Sequence, residues 1–132
     1  EAFKRTLLAA QSIVHGNPAT PNQSGVVTMR ILDNAGIRDA IKAKSRPADL
    51  AEGFAMVAKG EVELALFNLV ELPLGVRLVG PVPAPWQEYT TYETAILANG
   101  SAPNESRALI DFLTSPDSRK TWLAASLEPA PY

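Results

Sequence analysis

His15 and Ser24 are the residues of this 132-residue chain whose types come nearest to a base and a nucleophile. His15 is the only histidine and there is no cysteine. No acid stands at a recognisable spacing from His15. Gln23-Ser24-Gly25-Val26 is not the Gly-x-Ser-x-Gly elbow of a hydrolase. No catalytic residue is expected, and the scattered carboxylates have no metal-ligand spacing. The chemistry the pattern does offer is the holding of an anion. Ser12–His15 is short, apolar and β-branched, as a buried strand would be. Gly16, Asn17, Pro18, Pro21 and Asn22 then break the backbone into a loop. Gln23-Ser24-Gly25 ends that loop, and Val26 begins a helical pattern. Ser24 is placed to cap the helix, and Gly25 leaves its first amides uncovered. Backbone N–H groups at such a terminus hold an anion without a catalytic side chain. The expectation is a binding protein and not an enzyme.

The elements that must position this loop are legible in outline. Glu1–Ala10 reads as a short helix or turn leading into the strand. Val26–Ala35 reads as a helix, with Gly36 at its left-handed end and Ile37 folding back over the last turn. A short helix from Arg38 to about Lys44 follows. Pro47 sits where a helix can start, and Leu50, Phe54 and Val57 recur on one face. Gly60 ends that helix, and Val62–Phe67 reads as an interior strand. Val76–Val79 and Tyr89–Leu97 have strand composition. Pro103 starts a helix with Ala108, Leu109, Phe112 and Leu113 facing inward. Ser115-Pro116-Asp117 caps another that carries Trp122 and Leu123. Strands alternating with helices predict an α/β fold, a mostly parallel central sheet flanked by helices. No repeat or flexible linker interrupts residues 1–132, which read as one α/β lobe with 99–132 as its C-terminal helical segment.

Composition narrows the partners. With 46% hydrophobic and 20% charged residues the chain is globular in type. A formal net charge of −2 and the lack of a basic run give no footprint for nucleic acid. No apolar stretch approaches transmembrane length, so membrane insertion is not expected. The chain starts at Glu1, which reads as a mature or trimmed product. Asp49 is expected to complement a helix dipole and point away from a bound anion. Trp86, Tyr89 and Tyr92 are read as core and hinge packing ahead of an aromatic wall for a ligand, and Glu61 and Glu63 as solvated.

In their order these pieces resemble the periplasmic solute-binding proteins of ABC importers, the molybdate-binding-like group in particular. The matching stretches are Ser12–Pro18, Gln23-Ser24-Gly25, Leu32–Ile37, Val57–Leu64, Val79–Pro83 and Ala108–Pro116. The resemblance implies a type 2 periplasmic-binding fold of two lobes with the ligand between them. This chain looks like the second lobe plus the C-terminal segment, without the segment that builds most of the first. Carried over, the oxyanion contacts fall at Ser24 and Leu50, through main-chain amides, and at Asn68, where molybdate-type proteins have a tyrosine. With Gln23 and Gly25 these form the expected ligand-binding set. The implied function is capture of a small anion, a molybdate-like oxyanion or a small carboxylate, for an ABC permease. The implied location is periplasmic or extracellular, and no cofactor is implied. A lobe parted from its partner would bind weakly and self-associate. Two other readings stay open: the effector-binding domain of a transcription regulator of the same fold type, and a small α/β hydrolase using Ser24 or His15.

Overall fold

Ile13 and Val14 are β-branched and almost fully buried, and they form the centre of the sheet as part of strand β1, Ile13–Gly16. A computed structural model describes residues 1–20, 23–68 and 72–128. Pro21 and Asn22, which the sequence places in a loop, lie outside the described residues, as does the side chain of Gln23. Helix α1 (Ala2–Ala9) precedes β1, and helix α2 (Gln23–Asn34) follows it. A short α3 (Arg38–Ile41) runs into a 3-10 turn at Lys42–Lys44. Strand β2 (Ser45–Ala48), helix α4 (Leu50–Ala58) and strand β3 (Leu64–Leu66) come next. Helices α5 (Pro103–Leu113) and α6 (Arg119–Ala124) end the series.

The sheet has the order β2-β1-β3, and β1 is parallel to both neighbours. Parallel neighbours require crossover connections, here the α2–α3 segment and α4. The architecture is the predicted α/β one, a small parallel sheet flanked by helices. Alternation along β1 divides the core into two layers. Ile13 joins Leu7, Leu32, Ala35, Ile37 and Ile41 in one layer, with Leu64, Leu66 and Trp86 packed against it. Val14 joins Ala48 and Val62 in the other, with Met56, Val57 and Phe67 packed on them.

Gly36 ends α2 with φ +67°, a backbone angle that a side chain disfavours. Its N–H reaches Asp33 O at 2.9 Å, and the Ile37 N–H reaches Leu32 O at 3.1 Å. That pair of bonds is the predicted helix stop, and it delivers Ile37 into the core. Other expectations need correcting. Pro47 starts no helix; it lies inside β2, paired with His15, and α4 begins at Leu50. Among the described strands β2 is bonded on one side only, and an edge position tolerates a residue with no N–H. Val76–Val79 and Tyr89–Leu97 contain no strand. Their β propensity finds no partner ladder among the described residues, and propensity without pairing does not make a strand.

The chain divides into two compact units, Glu1–Thr90 and Thr91–Tyr132. In the second, Pro103 occupies the first turn of α5 as expected. The Ser118 hydroxyl donates to Phe112 O at 2.5 Å, and Trp122 Nε1 donates to Leu113 O at 2.8 Å, closing the turn between α5 and α6. Ser118, not Ser115, is the residue before α6, and its N–H donates to the Ser115 hydroxyl at 3.3 Å. The residues expected to face inward do not all do so: Leu109 and Phe112 are 56% and 62% exposed.

Candidate functional site

In a parallel sheet all strands end at one edge, so the loops that follow them gather there. The register makes this concrete: Gly16 pairs with Ala48, and His15 with Leu66. The N-terminus of α2 follows β1 across residues 17–22, and that of α4 follows β2 across Asp49 alone. Asn68 lies just past the end of β3. Ser24, Leu50 and Asn68, distant in sequence, therefore all follow strand ends at the carboxyl edge of one sheet.

The α2 corner is built by close backbone approach. A Cβ on Gly16 would come within 2.6 Å of the Gly25 N and also strike the Ser24 hydroxyl. A Cβ on Gly25 would come within 2.6 Å of the Asn17 carbonyl oxygen and also meet Pro18. Gly25 thus does more than leave amides bare; the loop after β1 lies directly against it. Asn17 shapes that loop, its Oδ1 accepting from the Ala19 N–H at 2.9 Å and its carbonyl from the Thr20 hydroxyl at 2.9 Å. Ser24 is not the cap. The helix starts one residue earlier, at Gln23, so Ser24 falls in the first turn and is buried. Thr28, one turn further along α2, is 2% exposed. The Thr28 hydroxyl donates to Leu66 O at 3.4 Å, which turns this buried, polar side of α2 to the end of β3.

The α4 corner differs. Asp49 occupies the capping position with φ −72° and ψ 158°, is exposed, and makes no side-chain cap bond. Leu50 is half-buried, and its side chain lines an apolar groove of about 410 Å³ with Phe54, Pro73 and Leu74. The main-chain amide is then its polar contribution. At the β3 corner, Asn68 Nδ2 donates to the Thr90 hydroxyl at 2.9 Å, and both residues are half-buried.

His15 is buried, and its Nδ1 lies 2.9 Å from the Gly16 carbonyl at the end of β1. Trp86 stacks on Phe3 at 5.7 Å with Lys4 Nζ 5.0 Å from its ring centre, so it packs on α1 as a core residue. Tyr89 and Tyr92 are exposed. Glu63 is not simply solvated: its carboxylate accepts the Gln11 N–H at 2.7 Å and ties the start of β3 to the start of β1. Thr90 was not singled out from sequence. Its partner is 22 positions away in the chain, and no local pattern signals such a bond. Among the described residues no group of three or more His, Cys, Asp or Glu could hold a metal ion, and no helix is long and apolar enough to cross a membrane.

Residues 2–125 match the family model of bacterial extracellular solute-binding proteins, nearly the whole chain. That match supports extracytoplasmic binding of a small ligand, the coarser part of what the resemblance implies. An aconitate isomerase of a Pseudomonas species is 34% identical over 134 aligned residues, covering 99% of this chain and 50% of the relative. The chain thus spans about half the length of the curated relative it matches. No solved structure matches. The relative's name is that of an enzyme, and it overturns the expectation that this chain lies outside enzymes. That expectation rested on the lack of a nucleophile–base pair. The lack of a nucleophile–base pair argues against a hydrolase, and it does not argue against an isomerase.

Proposed function

The chain belongs to the bacterial extracellular solute-binding proteins, and from that premise we propose that it binds a small polycarboxylate of the aconitate type at the carboxyl edge of its sheet. The observation that carries this is the gathering of the α2 and α4 N-termini and Asn68 at that edge. Each helix start presents amides with no partner inside the helix, together with the positive end of its dipole. The set proposed to bind is Gln23, Ser24, Gly25, Leu50 and Asn68. A carboxylate is favoured over molybdate on two grounds. Asn68 stands where molybdate-type proteins have a tyrosine, and the curated relative is named for a tricarboxylate.

The chain is read as the second lobe and C-terminal segment of a two-lobed periplasmic protein, in which the first lobe supplies the remaining contacts. Its span of half the relative supports this. Two fates of the ligand each have an observation behind them. Family membership favours delivery to an ABC permease, and the relative's name favours isomerisation. Membership in the family favours both over the effector domain of a regulator.

Calorimetry on the full-length protein with trans-aconitate, cis-aconitate, citrate, molybdate and sulfate tests the ligand class. A polycarboxylate should bind at least about tenfold more tightly than either inorganic anion. Molybdate binding first would overturn the assignment. Proton NMR of trans-aconitate incubated with the protein separates the two fates, since only an isomerase makes cis-aconitate appear.

A further inference from the structure

We propose that Thr90 is a positioning residue for this site: its hydroxyl anchors the Asn68 carboxamide through one N–H and leaves the second N–H of the same nitrogen for the ligand. This rests on the polycarboxylate reading above. The observation is the bond from Asn68 Nδ2 to Thr90 Oγ1 at 2.9 Å. A carboxamide has donors on one side and an acceptor on the other, and turning it over exchanges them. Toward a carboxylate the difference is one of sign, because the nitrogen attracts the anion and the oxygen repels it. Asn68 stands two residues past the end of β3, at the carboxyl edge of the sheet. Thr90 accepts one N–H from 22 positions away, and the other N–H on the same nitrogen is left for the ligand.

The geometry suits this role. Both residues are half-buried, so water competes with the bond less than at the surface, and a ligand can still reach the pair. A hydroxyl that accepts from Asn68 keeps its own hydrogen, so the pair has one O–H and one N–H still to donate. Such an arrangement selects ligands by the acceptors they carry.

The test uses the full-length protein and trans-aconitate, with melting temperature measured for every variant. Thr90→Val keeps the shape and removes the acceptor. Affinity should fall about tenfold while the melting temperature stays within about 2 °C. Thr90→Ser should restore affinity to within about twofold of the parent. Thr90→Ala is measured beside them, so that a folding failure of the valine variant leaves another to decide. In an Asn68→Ala background, Thr90→Val should cost nothing more, because Thr90 acts through Asn68. Unchanged affinity in Thr90→Val, no rescue by serine, or an additive loss in the double variant would each overturn the inference while the ligand reading survives. If the parent protein binds none of the polycarboxylates, the reading and the inference fall together.

Discussion

The unit Glu1–Thr90 and the unit Thr91–Tyr132 solve the problem of holding helices in opposite ways. In the first, helices lie on a sheet whose central strand is almost entirely buried, and both faces of that strand are covered. In the second, no hydrophobic side chain among the described residues is buried; the buried residue is Ser118. There the joint between α5 and α6 is made by side chains bonding to main-chain carbonyls, Ser118 to Phe112 and Trp122 to Leu113. Burial of apolar surface is worth more than exchanged hydrogen bonds, which replace bonds to water. The first unit should therefore be stable and intolerant of change, and the second marginal and permissive. A ligand site that depends on the placing of two helix starts belongs with the first.

Each unit has one tryptophan, Trp86 and Trp122, so single-tryptophan variants allow each to be followed separately by fluorescence in urea. The largest effect is expected from Leu32→Ala. Leu32 is 1% exposed in the layer beneath α2, and its loss should cost about 3–4 kcal/mol in the Trp86 transition. An equal shift in the Trp122 transition would break the comparison, since it would mean that the units unfold as one. Gly25→Ala comes next, at about 2–3 kcal/mol, because the new methyl meets the Asn17–Pro18 backbone and the loop must move. A cost near zero, measured the same way, would mean that the loop yields freely and that the α2 corner is not a rigid platform. The smallest effect belongs to Phe112→Ser, within about 0.5 kcal/mol in the Trp122 transition, as Phe112 is 62% exposed. A loss well above that would show that another surface covers this face of α5 in the protein measured.

The sequence by itself determined the elements whose signals are local. The β-branched pair Ile13-Val14 marked β1, and Gly36 stopped α2 through backbone conformation alone. Pro103 started α5 because its fixed φ and missing N–H suit a first turn. Parallel α/β organisation was also legible, since alternating elements leave few ways to cover a sheet. What needed the tertiary structure was everything decided by a partner far along the chain. Pro47 is a sound helix start judged by its neighbours, yet pairing with His15 places it in β2. Tyr89–Leu97 has the composition of a strand and finds no ladder among the described residues. Gly25 looked like an opening for an anion; the structure shows it first as the place where Asn17 and Pro18 press on α2. Asn68 was nameable through a resemblance, whereas its hydrogen-bond partner Thr90 is a residue that only folding brings beside it. Local signals are read within a few residues because they act through backbone torsions and adjacent hydrogen bonds. Pairing, close approach and side-chain orientation are set by atoms that the chain brings together only once its core has formed.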